Sequence, residues 1–150
     1  MSNTFTNLLY HIVFATKQRQ NLIQPSYRDE LFSYIAGIIR GEKGATITIG
    51  GTPNHVHILA KFSQGVMLSN MLQHIKGNSS KWLNDKALVA CHFHWQTGYG
   101  AFTVSESMAK VVSRYIENQE THHQKMTFEA EFISLLDKHH IEYDAKYLWD

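Results

Sequence analysis

Two short stretches of alternating residues fix most of what this chain can become. Thr46-Ile47-Thr48-Ile49 is the first and Asn54-His55-Val56-His57-Ile58 the second, with Gly50-Gly51-Thr52-Pro53 between them. Side chains change face at every residue of a strand, so this period of two reads as β-structure. Glycine and proline punctuate the join, which predicts antiparallel strands over 45–50 and 54–62 closed by a turn at 50–53. His55 and His57 then share one face, and Val56 and Ile58 the other. Two imidazoles side by side on a rigid strand make a clamp for a divalent cation. With ten histidines in 150 residues, an accidental pair on a solvated face is the plain alternative.

The remaining pattern supplies the frame. Leu8 to Ala15 is an apolar run and reads as a strand buried on both faces. Pro25-Ser26 opens a helix with Tyr27, Leu31, Tyr34, Ile35, Ile38 and Ile39 on one stripe, ended by Gly41 and Gly44. Leu68, Met71, Leu72 and Ile75 mark a second helix to about Leu83. Phe93-His94-Trp95-Gln96 reads as a fourth strand, and Tyr99 to Val104 as its continuation or an edge loop. A third helix begins near Ser105, and a fourth spans about Phe128 to His139 with Thr127 as its cap. The order β-α-β-β-α-β predicts one α+β domain over 1–150. It is ferredoxin-like or RRM-like, an antiparallel sheet with helices on one face and trailing helices after it. The other face is left for a site. Terminal Tyr147 and Trp149 are expected to dock, on this chain or on a second copy.

Composition narrows the function. Hydrophobic residues make up 43% and charged residues 18%, as in ordinary globular proteins. A net charge of +1 means that any nucleic-acid surface is a local patch. The lone Cys91 rules out an internal disulfide, fits a reducing cytoplasm, and reads as a half-buried thiol. Neither a signal peptide nor a membrane-spanning run is visible, so a cytoplasmic protein without membrane contact is expected.

The third helix carries Arg114-Tyr115-Ile116-Glu117-Asn118-Gln119. Tyr115 and Gln119 are four residues apart and so neighbours on one helix face. If that face meets the histidine strand, the Gln119 carbonyl oxygen becomes a third metal ligand and Tyr115 stands beside it. The alternative is a core tyrosine on an amphipathic stripe.

His55-Val56-His57, with Tyr115-Ile116-Glu117-Asn118-Gln119 far downstream, resembles the HUH single-tyrosine transposases of small bacterial insertion sequences. These are of the insertion-sequence 200/605 type, which includes the REP-associated tyrosine transposases. The resemblance spans nearly the whole chain. Tyr10 to Lys17 is similar to the family's opening strand, Pro53 to His57 to its metal motif, Gln73 to Gly77 to its second helix, and Trp95 to Phe102 to the stretch before its nucleophile helix. The resemblance implies an enzyme that cleaves and rejoins single-stranded DNA at hairpin-flanked ends. It implies Tyr115 as the nucleophile, the C-terminal helix as its carrier, and His55, His57 and Gln119 as metal ligands. It also implies a homodimer in which a nucleophile helix can serve the partner's site.

The chemistry suits these residues. A cation on a phosphate oxygen withdraws charge and stabilises a pentacovalent transition state. Neutral nitrogen and oxygen ligands fit Mg²⁺ or Mn²⁺. A phenol, with a pKa of about 10, needs help to attack at neutral pH. A phosphotyrosine would store the bond energy, so a second strand's 3′-hydroxyl can reverse the step. For DNA contact, Lys17, Arg19, Lys76, Lys81 and Arg114 are candidates on phosphates. Phe93, Trp95 and Tyr99 are candidates for stacking on unpaired bases; solvated lysines and core aromatics are the plain alternative. Among rivals, a histidine-triad hydrolase needs a third histidine where Leu59 stands. A metal-free RNA-binding module needs aromatics in mid-sheet, which Tyr10, His11 and Phe14 supply only in part. A repeat-processing host nuclease of the same family would keep the whole site.

Overall fold

The computed structural model describes residues 3–149. Strands β1 (Leu8–Ala15), β2 (Ala45–Thr52), β3 (His55–Phe62) and β4 (Gly100–Thr103) form one antiparallel sheet in the order β2-β3-β1-β4. Helix α1 (Pro25–Gly41) crosses from β1 to β2, and α2 (Leu68–Asp85) from β3 toward β4. Three further helices follow: α3 (Ala109–Glu117), α4 (Gln119–His122) and α5 (Phe128–Lys138). This is the expected α+β, ferredoxin-like arrangement. Among the described residues no helix is long and apolar enough to cross a membrane.

Alternation along the strands sorts the side chains into two layers. Ile12, Phe14, Val56, Ile58 and Ala60 face α1 and α2, where Leu31, Ile35, Ile39, Leu72 and Ile75 complete one continuous apolar core. Proline in the first turn of α1 gives up an N–H that has no helical partner there. Tyr27, Leu31, Ile35 and Ile39, spaced by four, are the buried face of that helix. Leu9, His11, Val13 and Ala15 of β1 and His55, His57 and Leu59 of β3 point to the opposite side. That side is roofed by α3, α4 and α5. Its apolar contacts divide into two smaller clusters, one around Phe102, Phe128 and Phe132 and one around Leu59 and Ile116. The Thr127 hydroxyl caps α5 by accepting the Ala130 N–H at 3.2 Å.

Four local expectations change. Residues 93–96 are not a sheet strand: Phe93 and Trp95 are core residues, joined to the sheet end by a Thr16–Trp95 bridge and by the Gln96 N–H donating to Ala15 O at 2.9 Å. Gly50 and Gly51 lie within β2, and the hairpin turns at Pro53-Asn54. The reason is packing: a Cβ on Gly50 would lie 2.3 Å from the Ile116 carbonyl oxygen, so its absence admits α3 onto the sheet. Helix α3 stops at Glu117, where Asn118 leaves helical geometry (φ −97, ψ 21), and Gln119 opens the short α4. Cys91 is exposed, not half-buried. Trp149 docks on Phe128 and Phe132 of its own chain, while Tyr147 stays exposed.

Candidate active site and metal centre

His55 and His57 sit on β3 with both imidazoles fully buried on the roofed side. Each ring is held through Nδ1. His55 Nδ1 lies 2.7 Å from Asn54 Oδ1 and 2.9 Å from Thr52 Oγ1. His57 Nδ1 lies 2.8 Å from Nε2 of His11, its neighbour on β1. Fixing Nδ1 fixes ring orientation, so both Nε2 atoms are aimed at one place beneath the roof.

The roof brings the remaining donors to that place. Gln119 Oε1 lies 2.8 Å from His55 Nε2 and 3.0 Å from His123 Nε2. Glu131, buried on α5, accepts from His57 Nε2 at 3.0 Å, from His123 Nε2 at 2.9 Å and from the Gln119 amide at 3.0 Å. His55, His57, His123 and Glu131 present ligand atoms all within 4.8 Å of one another, and this group can hold a metal ion. Its hydrogen-bonded pairs, at 2.9 and 3.0 Å, match the separation of about 3 Å between adjacent ligands of an octahedral ion with bonds of about 2.1 Å. The donor set of imidazoles, a carboxylate and an amide oxygen suits a divalent cation.

The electrostatics follow from burial. Desolvation, with His57 adding to it, lowers His55 to about 3; desolvation and His57 likewise bring His11 to about 3. His57 is lowered chiefly by burial too. These rings are therefore neutral at pH 7, each with one nitrogen lone pair, which lies on Nε2 in the tautomer that keeps its hydrogen on Nδ1. Burial alone would raise Glu131, but hydrogen bonds from His123, His57 and Tyr115 outweigh it and hold the carboxyl far below the usual range. Burial opposes protonation of His123, yet contact with Glu131 wins and raises it. The buried anion is thus matched by hydrogen bonds from several partners, as burial of charge requires.

Tyr115 reaches this cluster from α3 of the same chain. Its hydroxyl donates to Glu131 Oε2, and its ring stands 5.7 Å from the His57 ring. Burial and the adjacent carboxylate push the phenol well above its ordinary value of 10. Two features of the roof set this position: the close approach of Ile116 to Gly50, and a hydroxyl pair between Thr48 and Ser113 that ties α3 to β2. The sequence-predicted His55, His57, Gln119 and Tyr115 are therefore all brought together.

The predicted DNA-contact residues do not form one group. Arg19 pairs with Glu129 at 2.6 Å and lies over the Trp149 ring. Lys76 donates to the carbonyls of Gln96 and Gly98 at 2.7 and 2.5 Å, and burial lowers it to about 8. It holds the 96–98 loop. Lys81 pairs with Asp85 one turn on. Lys17 and Arg114 are exposed, Arg114 beside Tyr115 on α3. Trp95 is a correction: its indole is buried against Phe14 and Phe93 and donates to Ser79 Oγ at 2.9 Å, so no base can stack on it.

Sequence reasoning missed His122, His123 and Glu131. Two signals were present. His123 follows Gln119 by four residues, and Glu131 stands among Phe128, Phe132 and Leu135, a carboxylate on an apolar stripe.

Comparison with known proteins gives a consistent result. A family model described as "Transposase IS200 like" matches residues 4–119. The transposase for insertion sequence element IS200 of Salmonella typhimurium is 26% identical over 124 residues, spanning 79% of this chain and 81% of that protein. ISDra2 transposase TnpA of Deinococcus radiodurans is 25% identical over 117 residues, spanning 75% and 84%. Among solved structures, a putative transposase from Deinococcus radiodurans superposes with a TM-score of 0.65 at 22% identity, over 79% of this chain and 95% of that one. A REP-associated tyrosine transposase bound to a REP hairpin superposes with a TM-score of 0.57 at 15% identity, over 77% and 70%. The matched family span ends at Gln119, so His122, His123 and Glu131 lie beyond it.

Proposed function

This chain belongs to the IS200-like transposase family, and from that premise we propose that it cleaves and rejoins single-stranded DNA at hairpin-flanked ends through a 5′-phosphotyrosine on Tyr115. The observation that carries the reading is one shared carboxylate. Glu131 accepts from the Tyr115 hydroxyl and also from His57 and His123, so the phenol and the imidazole cluster meet at a single point within one chain.

His55, His57 and Glu131, with His123 and the Gln119 carbonyl oxygen, would hold a divalent cation, Mg²⁺ or Mn²⁺; of the two, Mn²⁺ accepts nitrogen donors more readily than the oxygen-seeking Mg²⁺. When bound, the cation supplies positive charge against the scissile phosphate and the ionising phenol. The chain's own residues do the rest. His11 and Asn54 keep the two β3 imidazoles in orientation. Glu131 accepts the hydrogen bond of the Tyr115 hydroxyl and so aims its oxygen, and the phenol's proton passes to water as it attacks. The Tyr115 oxygen attacks phosphorus, an O–P bond forms, and the bond from phosphorus to the 3′-oxygen breaks, the freed 3′-oxygen taking a proton from water to leave as a 3′-hydroxyl. Attack of another strand's 3′-hydroxyl reverses these changes and frees the phenol, with no external energy source. Without a cation the raised phenol keeps its proton, which ties cleavage to metal loading.

DNA hairpins and a second copy of the chain are the proposed partners. The test is a denaturing gel of the full chain incubated with hairpin DNA bearing single-stranded flanks of random sequence, with Mg²⁺ or Mn²⁺. A covalent protein–DNA band that chelation prevents is expected; its absence with both cations would overturn the reading. Sedimentation at micromolar concentration is expected to give a dimer, and a monomer alone would remove the homodimer.

A further inference from the structure

Beside the cluster lies a second feature that the cleavage chemistry does not use. A cavity of about 530 Å³ opens between the end of β4 and helices α3 and α5, and Tyr115 and Glu131 form part of its wall. Its volume is within the range of small-ligand sites, about 300–1,000 Å³. Val104, Met108, Val111, Val112 and Leu135 make its apolar lining, and Ser134, Lys138 and His139 bring polar groups to it. Met108, Val111 and Met126 are 47%, 55% and 38% exposed, an apolar surface that the fold leaves uncovered. The His122 ring lines this space too, with its Nε2 turned inward and buried. His122 Nε2 stands 3.4 Å from Glu131 Oε2 but has no hydrogen-bond partner among the described residues.

We propose that this cavity takes one unpaired nucleobase of the DNA strand, that of a nucleotide flanking the scissile phosphate. The proposal rests on the cleavage reading above and extends it from the phosphate to the base. A base hangs one sugar away from its phosphate, and this cavity begins at the side chain that would attack that phosphate. Bases taken out of a stack are held by apolar side chains against the ring and by a few hydrogen bonds at its edge. Met108, Val112 and Leu135 supply the first. The Ser134 hydroxyl supplies the second. Lys138 and His139 at the same wall would favour the adjoining phosphates. A second copy of the chain is the competing occupant of the exposed methionine face.

Methyl-¹³C methionine spectra of the full chain test this directly, with chelator present so that no cleavage occurs. The probes are the octamers dT8, dA8 and dC8 and an octamer of the same charge made entirely of abasic sites. At least one base-bearing octamer is expected to shift Met108 and Met126 in a saturable way. Met71 in the opposite core and Met67 at the start of α2 serve as references and should stay in place. The abasic octamer should leave Met108 and Met126 unmoved, and Leu135→Trp, which fills the cavity, should remove the shift. Equal shifts with the abasic octamer would overturn the proposal, as would no shift with any base. A Met108 shift that follows protein concentration instead of DNA would assign the face to a second copy. The two readings fail separately: a covalent adduct without methionine shifts sinks the cavity alone, and shifts without any adduct sink the cleavage chemistry alone.

Discussion

Ile58 and His57 are neighbours on β3 and belong to different worlds. Ile58 turns toward α1 and α2, fully buried in a continuous apolar layer. His57 turns the other way, equally buried, into a pocket of imidazoles around one carboxylate. Burial of Ile58 stabilises the fold, by about 1.5–3 kcal/mol for a side chain of this kind. Burial of His57 and His55 works against it, since desolvation lowers both and the unfolded chain would gain protons that the folded one refuses. The α1/α2 layer therefore secures the fold, and the α3–α5 layer holds groups in arrangements that they would not keep alone. Stability and activity should separate along this divide.

The largest separation is expected at His57 itself. His57→Ala should lower the rate of adduct formation by about 10³-fold or more, as loss of a group that acts with others does. Far-ultraviolet circular dichroism and hairpin binding should be preserved. Its neighbour should behave in the opposite way: Ile58→Ala is expected to cost about 2–5 kcal/mol in urea unfolding, with adduct yield per folded molecule within about threefold. Comparable effects of both changes on both readouts would break the comparison. Gly50→Ala tests the join between the layers. Its methyl group would drive the Ile116 carbonyl, and Tyr115 with it, away from β2. Adduct formation should drop by about 10–100-fold, with a stability loss of about 1–3 kcal/mol.

A smaller effect distinguishes the layers by pH. His11 and His55 titrate at about 3 when folded, against 6.5 for an unfolded histidine. Between those values only the unfolded chain takes up the protons, so stability is lost as pH falls from 6.5 toward 3. At pH 5 each ring accounts for at most about 2 kcal/mol, and the two are coupled, so their sum is less than twice that. Glu131, lowered in the fold, contributes stability above about 4.5 and loses it in more acid solution. His123, raised by Glu131, works the other way, but the lowered rings outnumber it, so thermal melts of the chelated protein should move down from pH 7 to pH 5. A melting temperature flat across that range would contradict the burial of these rings.

What could be read in the sequence follows the same divide. The apolar layer was legible because its stripes are periodic: Tyr27, Leu31, Ile35 and Ile39 recur by four, and Val56 and Ile58 by two. His55, His57, Tyr115 and Gln119 were legible from spacing joined to resemblance. The glycine pair was misread because a turn and a close helix approach both favour glycine, and only the packing of Ile116 tells them apart. Trp95 was misread because a stacking platform and a core indole have the same composition. Glu131 was missed because its partners are scattered, 74 residues away on β3, 16 on α3, and 12 and 8 at Gln119 and His123. Nothing local marks such a contact except a charge on an apolar stripe.

The central claim is that one phenol and two β3 imidazoles act on a single phosphorus. Its most direct test is mass-spectrometric mapping of the covalent adduct after nuclease and protease digestion. The account predicts a nucleotide phosphate on the peptide containing Tyr115, formed with Mg²⁺ or Mn²⁺ and lost in Tyr115→Phe. A nucleotide on Tyr99, Tyr143 or Tyr147 instead, or an undiminished adduct in Tyr115→Phe, would contradict it.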